Sequence, residues 1–277
     1  MKIIVTHISV DLDGATACWL IHKFLPGWEN VEYKFVSAGT TLEDKKPDED
    51  KSIIHVDTGL GKYDHHQFAD NNLSATKLIF EKIKIHLSKS HQIAALTRMV
   101  EYVTLIDNFK EVYFPDPISD THDFSLHQVV EGLKHVLKTD DERLKFIFTI
   151  LDGVYQNFLN KVRAEEEIRQ GLIIKTRWGK GLAIETRNEE AVKLALKMDY
   201  KIVIRRDPQK GFVRIKAYPE KQIDLGLLYE KIKELDQKGT WFLHSSRKLL
   251  LNGSAKNPKA IATKLGLPKI IEIIKEL

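Results

Sequence analysis

The sequence predicts an α/β protein with an N-terminal parallel-sheet domain and a smaller α+β C-terminal domain. In the first third of the chain, strand-like and helix-like segments alternate, which is typical of a parallel sheet covered by helices. Beyond Gly171, short strand-like segments become frequent. The length of 277 residues also exceeds that of one typical compact core, so two domains are expected.

The elements of the N-terminal domain follow from their hydrophobic patterns. The β-branched run KIIVTHI predicts a buried strand, and ATACWLIHKFL predicts a helix that stops at a Pro-Gly pair. VEYKFVSA and KSIIHVDTG predict two more strands, the second of which reaches Asp57. The pattern is then mostly helical, and Ser74 is a predicted helix cap. We place this domain at residues 1–171.

The C-terminal domain is placed at residues 172–277. GLAIET, YKIVIRR, GFVRIKAY and TWFLHSS predict strands, and NEEAVKLALKM, LGLLYEKIKEL and NPKAIATKLGL predict helices. In a strand, Phe212, Arg214 and Lys216 would share one face. A basic face with aromatic side chains suits single-stranded nucleic acid, although a solvated sheet face fits the pattern equally well.

Composition limits the class of protein. A hydrophobic fraction of 43% and a charged fraction of 30% fit a soluble globular protein, and the net charge of +4 permits an anionic partner without requiring one. The single cysteine, Cys18, excludes an internal disulfide and fits a reducing compartment. The N-terminus reads as a strand rather than a signal peptide, and no apolar run is long enough to span a membrane. A cytoplasmic protein without membrane contact is expected.

Histidines and aspartates gather where two predicted strands end. Active groups of a parallel sheet lie beyond the carboxyl ends of its strands, so these side chains are expected to share one crevice. Imidazole and carboxylate ligands without thiolate suit Mn, Mg or Zn. The candidates are His7, Asp11 and Asp13 in THISVDLDG, Asp57 in HVDTG and His65 in YDHHQF.

Together these motifs resemble those of the DHH phosphoesterase superfamily, named after the triplet Asp64-His65-His66. The resemblance implies a DHH-type N-terminal domain and a fourth motif, to which Asp107 in VTLIDNF corresponds. More ligands are then present than one divalent ion needs, so two ions are expected. The resemblance implies one ion held by His7, Asp11 and Asp57, and another held by Asp13, Asp57, His65 and Asp107, with Asp57 as the bridge.

The rest of the triplet is predicted to act in catalysis. His66 would be free of metal and could stabilise the charge that develops on a scissile phosphate. Asp64 would orient one of the two histidines. A triplet of this kind can also be a solvated turn, and Asp107 can also be an ordinary helix terminus.

A late segment, TWFLHSSRKLLLNGSAKNPKAIATKLG, resembles one branch of the superfamily, the melanocyte-proliferating-gene exonuclease family. The resemblance implies a phosphate- or nucleotide-binding loop in the C-terminal domain. A hairpin with an Asn-Gly turn is the alternative interpretation. The substrate-binding candidates are His244, Ser245, Ser246, Arg247 and the backbone of Asn252 and Gly253.

The predicted function is therefore that of a hydrolase, a metal-dependent phosphodiesterase. The expected activity is that of a 3′–5′ exonuclease on RNA or short oligonucleotides. The attacking group would be a hydroxide activated by two divalent ions. Mn is the expected metal, with Mg or Zn as alternatives. The expected partner is a nucleotide or single-stranded nucleic acid. One alternative is a phosphomonoesterase or pyrophosphatase that acts on a small phosphorylated molecule. Another is a non-catalytic protein that binds metal or nucleotide.

Overall fold

The computed structural model, which describes residues 1–254 and 257–277, folds as two units, Met1–Leu159 and Asn160–Leu277. The first unit holds a parallel three-stranded sheet, and the second holds a mixed sheet. Both units also contain helices. The predicted fold class is therefore confirmed. The division of the chain by function at residue 171 stays a prediction.

The first unit follows the predicted alternation of strands and helices. Its sheet has the strand order β2-β1-β3, and both strand pairs are parallel. Ser74 caps α2 as predicted, because its side chain accepts a hydrogen bond from the Lys77 amide. The elements are β1 (Lys2–His7), α1 (Leu12–Phe24), β2 (Val31–Val36), β3 (Ile53–His55), α2 (Ala75–Lys84), α3 (Ser90–Asp107), α4 (Leu126–Leu133) and the first part of α5 (Asp140–Gln170).

Helix α1 lies in the interior of the first unit. Its residues from Leu12 to Ile21 are all buried, which is typical of a helix enclosed by other elements. It begins ahead of the predicted segment, which starts at Ala15. The reason is Asp11, whose Oδ1 accepts a hydrogen bond from the Gly14 amide at 3.0 Å and thereby caps the helix.

The register of the parallel sheet brings two predicted ligands to the same edge. Val5 of β1 is paired with His55 of β3, and the strands run in the same direction. Two residues further along each chain segment are His7 and Asp57. Strand β3 is shorter than predicted and ends at His55, so Asp57 lies in the following turn.

The second unit is built on a sheet with the strand order β4-β5-β6-β7-β9-β8. Among the described strands of this sheet, only β5 and β6 form a parallel pair, and α6 connects them. The elements are β4 (Leu172–Thr176), β5 (Gly179–Glu185), α6 (Glu189–Lys197), β6 (Ile202–Arg206), β7 (Val213–Ala217), α7 (Gly226–Leu235), β8 (Trp241–Leu243), β9 (Leu249–Asn252) and α8 (Leu267–Lys275).

Helices pack on both faces of this sheet. One face packs on α7 and α8, with Leu228 and Ile270 in the shared core. The other face packs on α6 through Val192 and on the end of α5 through Ala164 and Ile168. The last turns of α5 thus belong to the core of the second unit, which is why this unit begins inside the helix.

The helix predicted from NPKAIATKLGL is wrong. Helix α8 begins only at Leu267, where Pro268 occupies the first turn and favours a helix start. Upstream of α8, the backbone makes other hydrogen bonds: the Ile261 amide donates to Thr240 Oγ1 at 3.0 Å, and the Thr263 amide donates to Asn252 Oδ1 at 2.7 Å. These side chains hold the segment in an irregular conformation beside the sheet.

Two expectations from composition can be compared with the structure. In the described residues, no helix is both long enough and apolar enough to cross a bilayer. Cys18 is a free, buried cysteine in α1. The predicted cytoplasmic location stays a prediction.

Candidate metal centre

Separate segments of the first unit bring the predicted ligands together. His7 ends β1, Asp57 and His65 lie in the loop after β3, and Asp107 is the last residue of α3. The structure contains three groups of residues that could hold a metal ion. Within each group, the nitrogen and oxygen atoms that could bind the ion lie within 4.8 Å of one another. The groups are His7, Asp11 and Asp57; Asp13, His65 and Asp107; and Asp57, His65 and His66.

In the first group, His7 presents one ring nitrogen to two carboxylates. Its Nε2 lies 3.3 Å from Asp57 Oδ2 and 3.7 Å from Asp11 Oδ1. Its Nδ1 lies 2.9 Å from the Ile8 carbonyl oxygen, which can only accept, so Nδ1 carries a proton. A neutral His7 can therefore offer the lone pair of Nε2 to a cation.

The second group surrounds His65. Its Nε2 lies 3.3 Å from Asp107 Oδ2, 3.5 Å from Asp57 Oδ1 and 4.0 Å from Asp13 Oδ2. His65 Nε2, Asp57 Oδ1 and Asp107 Oδ2 are buried, yet none of them makes a hydrogen bond of acceptable geometry. Buried polar atoms are nearly always paired in folded proteins, so their unpaired convergence fits a bound cation.

Asp57 lies between His7 and His65 and faces them with different oxygen atoms. Oδ2 faces His7, and Oδ1 faces His65. The residue is buried and has a φ of 57°, in the left-handed region that is uncommon for residues other than glycine. Such strain persists where the surroundings hold the residue in place, and it is frequent at functional sites.

Gly14 makes room for this arrangement. A Cβ atom at this position would lie 2.8 Å from Thr6 Oγ1 and 3.4 Å from both His7 Nε2 and Asp57 Oδ2. Any larger residue would place carbon against the ligand atoms. The glycine of the H-x-x-x-D-x-D-G motif therefore lets the first turn of α1 approach the centre closely.

Asp13 is fixed by the N-terminus of α2. Its Oδ2 accepts a hydrogen bond from the Ala75 amide at 2.7 Å, and its Oδ1 accepts one from the Thr76 amide at 2.9 Å. Amides at a helix N-terminus stabilise negative charge. Each carboxylate oxygen has a second lone pair, so Asp13 can still bind a cation.

The carboxylates repel one another in the protein without a cation. Burial, together with Asp57, Asp107 and Asp11, raises the pKa of Asp13 well above its usual range. Burial also raises the pKa of Asp107 to about 7, although His65 opposes the shift. The site thus contains more carboxylates than its surroundings stabilise in the ionised form, which is typical of sites that bind cations.

The two histidines balance part of this charge. The Asp57 carboxylate raises the pKa of His65 to about 9. Burial alone would lower the pKa of His7, but Asp11 and Asp57 raise it to about 11. Although burial opposes it, His65 and His7 hold the pKa of Asp57 below its usual range. In the metal-free protein, protons therefore occupy positions that a divalent cation would take.

Metal affinity is expected to rise with pH. Binding requires His7, His65 and Asp107 to release protons, and these groups have pKa values of about 11, about 9 and about 7. Between about pH 6 and about pH 8, loss of the Asp107 proton alone predicts binding that is tighter by about tenfold. Calorimetric titration with Mn²⁺ at both pH values measures this, and affinity that is flat or falls with pH would contradict the ligand assignment.

The triplet is not a solvated turn, because Asp64 is buried and fully engaged. Its Oδ1 lies 2.7 Å from His66 Nδ1 and accepts a hydrogen bond from the His66 amide at 3.1 Å. Its Oδ2 accepts one from the Leu60 amide at 2.8 Å. Of the two histidines that Asp64 was predicted to orient, it contacts His66.

Asp107 ends α3, but the neighbouring Asn108 caps the helix. The Asn108 side-chain amide donates to the carbonyl oxygens of Thr104 and Leu73, both at 2.8 Å. Asp107 Oδ2 remains buried and unpaired next to His65. Asp107 is therefore a helix terminus, and this does not prevent it from binding metal, a role that stays a prediction.

The predicted substrate residues of the second unit lie on and beside the β8–β9 hairpin. His244, Ser245, Ser246 and Arg247 form its exposed turn. His244 Nδ1 accepts a hydrogen bond from the Ser246 amide at 3.1 Å, and Arg247 Nε donates to Asp224 at 2.6 Å. Their role in substrate binding stays a prediction.

The alternative reading of a hairpin with an Asn-Gly turn is wrong, because Asn252 ends β9 and Gly253 follows it. The Asn252 side chain is fully buried and hydrogen-bonds to the backbone of Thr240, Ile261 and Thr263. The whole residue is buried, so the predicted contact of the Asn252 backbone with substrate is wrong. Gly253 has a φ of 78°, and a Cβ there would lie 2.3 Å from the Phe212 ring.

Three arginines of β6 and β7 have acidic partners. Arg205 pairs with Glu189 at 2.8 Å, Arg206 pairs with Glu185 at 3.0 Å, and Arg214 also pairs with Glu189. The positive charge of these two strands is thus partly neutralised.

A cavity of about 960 Å³ opens beside the metal centre within the first unit. The sequence did not predict several further lining residues, because they lie in irregular turns and in the short helix α4, where no periodic pattern singles them out. They include Phe68, Phe109, Glu111 and His127.

No family model and no curated protein matches the chain. One solved structure that matches is described as the DHH domain of a member of the s1p family of ribosomal proteins. It is 13% identical, the match covers 99% of this chain and 86% of that chain, and the TM-score is 0.33. The function is therefore inferred from the residues of the site.

Proposed function

We propose that the protein is a metal-dependent phosphoesterase of the DHH type. Within that class, we propose a phosphodiesterase that acts as a 3′–5′ exonuclease on RNA or short oligonucleotides. The observation that carries the proposal is Asp57, whose two carboxylate oxygens face two separate groups of ligand atoms. A carboxylate shared between two ligand groups is the arrangement expected of a dinuclear centre.

The donor set fits two divalent cations. One would be held by His7, Asp11 and Asp57, and the other by Asp13, Asp57, His65 and Asp107. When bound, such ions lower the pKa of a water molecule and neutralise phosphoryl oxygens. Oxygen and nitrogen donors without sulfur favour Mn²⁺, with Mg²⁺ or Zn²⁺ as alternatives.

His66 is the residue proposed to act on the substrate itself. Its side chain is 59% exposed and lines the cavity beside the ligands. Asp64 engages Nδ1, so Nε2 is the nitrogen left to hold a proton for a developing negative charge or a leaving oxygen. Asp64 itself acts as a positioning residue.

For the second unit, we propose a role in holding a nucleotide or a single strand. The proposal is supported by the exposure of His244, Ser245, Ser246 and Arg247 at one hairpin turn. Hydroxyl, imidazole and guanidinium groups are suitable donors to phosphate oxygens.

A second candidate is a phosphomonoesterase or pyrophosphatase that acts on a small phosphorylated molecule. Asp70, Glu111 and Glu131 line the cavity, and carboxylates there disfavour a long polyanion. The acidic partners of the arginines on β6 and β7 point in the same direction.

Hydrolysis by the purified chain is expected to require added divalent metal and to stop when the metal is chelated. With Mn²⁺, a labelled oligoribonucleotide should shorten stepwise from its 3′ end, and bis-p-nitrophenyl phosphate should also be cleaved. His244→Ala should slow oligonucleotide cleavage and affect the small diester less, because the small substrate needs little additional binding.

Exclusive cleavage of pyrophosphate or of a monoester would favour the second candidate. Absence of hydrolysis with every substrate, in protein shown to contain metal, would contradict the enzymatic proposal.

A further inference from the structure

The cavity beside the metal centre extends into a part of the first unit that the proposed chemistry leaves unused. Its volume of about 960 Å³ lies within the usual range of small-molecule sites, roughly 300–1,000 Å³. One end is lined by the metal-centre residues. The rest of the wall includes Phe68, Phe109, Glu111, His127 and Glu131.

Glu111, in the turn after α3, presents an acceptor without a donor. Its Oε2 is buried and makes no hydrogen bond. Buried acceptors are nearly always paired, so a donor group on a ligand is a suitable partner. The residue as a whole is partly exposed and lines the cavity, so its carboxylate belongs to the part of the wall that a ligand would contact.

His127 supports this part of the wall as a neutral group. Its Nδ1 lies 3.0 Å from both Tyr102 Oη and Ser125 Oγ, which fixes the ring. Burial lowers the pKa of His127, so the ring is uncharged at neutral pH. None of the described residues that line the cavity is Lys or Arg. Away from the metal ligands, the wall therefore repels phosphate and favours an uncharged donor.

Two phenylalanines complete the lining. Phe68 is 50% exposed, Phe109 is 77% exposed, and both line the cavity. Exposed aromatic side chains are typical platforms for flat bases. An apolar platform, an unpaired acceptor and a nearby phosphate site together match the parts of a nucleotide.

We propose that this part of the cavity is a nucleobase subsite, in which Glu111 accepts a hydrogen bond from an exocyclic amino group and Phe68 and Phe109 contact the base. The assignment rests on the proposed function, which places the phosphate of the same ligand at the metal centre. Guanine, adenine and cytosine carry such an amino group. Uracil has no amino group, and its one ring donor, N3–H, is flanked by two carbonyl oxygens that a carboxylate repels.

Calorimetry with Mn²⁺-loaded protein tests the subsite without requiring turnover. The ligands are the 5′-monophosphates of guanosine, adenosine, cytidine and uridine, with inorganic phosphate as the reference. We expect the nucleotides with an amino group to bind more tightly than uridine monophosphate by about tenfold. Glu111→Gln should remove most of this preference, because an amide can also donate to uracil, and should leave phosphate affinity unchanged.

Glu81→Gln is the matched control, since Glu81 lies on the surface of α2 outside this cavity. It should bind all ligands as the unaltered protein does. Equal affinity for the four nucleotides, no nucleotide binding beyond that of phosphate, or a preference that survives Glu111→Gln would overturn the subsite. A base preference that depends on Glu111, in a protein that hydrolyses no phosphate ester, would overturn the proposed function and leave the subsite intact.

Discussion

Asp57→Asn is expected to remove both metal ions and nearly all hydrolytic activity. Asp57 offers one oxygen to each group of ligands, and an asparagine offers one neutral oxygen and an NH₂ group that cannot bind a cation. Loss of metal assistance worth several kcal/mol predicts a rate lower by on the order of 1,000-fold. Elemental analysis of metal-loaded protein and the hydrolysis rate with Mn²⁺ measure the two effects.

The Asp57→Asn substitution is compatible with the backbone conformation at this position. Asn is among the residues that tolerate the left-handed conformation found at Asp57, so folding should be preserved. Asp141→Asn is the matched control, because Asp141 lies on the surface of α5 and pairs with Lys145. The control should keep both ions. If Asp57→Asn also kept two tightly bound ions, Asp57 would not be the bridge.

The predicted metal ligands come together in the fold because they follow strongly patterned segments. A buried β-branched run fixes where β1 ends, and parallel pairing then places His7 beside the turn that contains Asp57. Asp11, Asp13 and Gly14 lie close together because α1 begins directly after Asp11. Local rules therefore decided most of the site.

The failures occurred where distant side chains decide the local structure. The segment before α8 has helical spacing, but Asn252 and Thr240 bind its backbone across the fold. Asn252 itself resembled a turn residue and instead connects two backbone segments, one at Thr240 and one that contains Ile261 and Thr263. No periodic pattern marks such a tertiary contact. The same holds for Glu111, whose unpaired oxygen is visible only in the folded chain.

The two histidines of the triplet are expected to differ when each is replaced by alanine. His65→Ala should weaken metal binding, because Nε2 is the atom that faces Asp107 and Asp57. His66→Ala should keep the metal and slow turnover. A positioned donor to a developing charge is worth about 2.7–4 kcal/mol, or roughly a hundred- to thousand-fold in rate.

The comparison of the two variants is a stringent test because His66 also lies near a predicted metal ligand. Its Nδ1 is 3.8 Å from Asp57 Oδ1. In His66→Ala, Asp64 would still accept hydrogen bonds from the backbone amides of residues 60 and 66. The conformation of the loop should therefore be retained. Metal content, melting temperature and single-turnover rate, measured for both variants, distinguish the two roles. Equal loss of metal in both would make His66 a ligand, and a proton donor would then have to be sought elsewhere on the cavity wall.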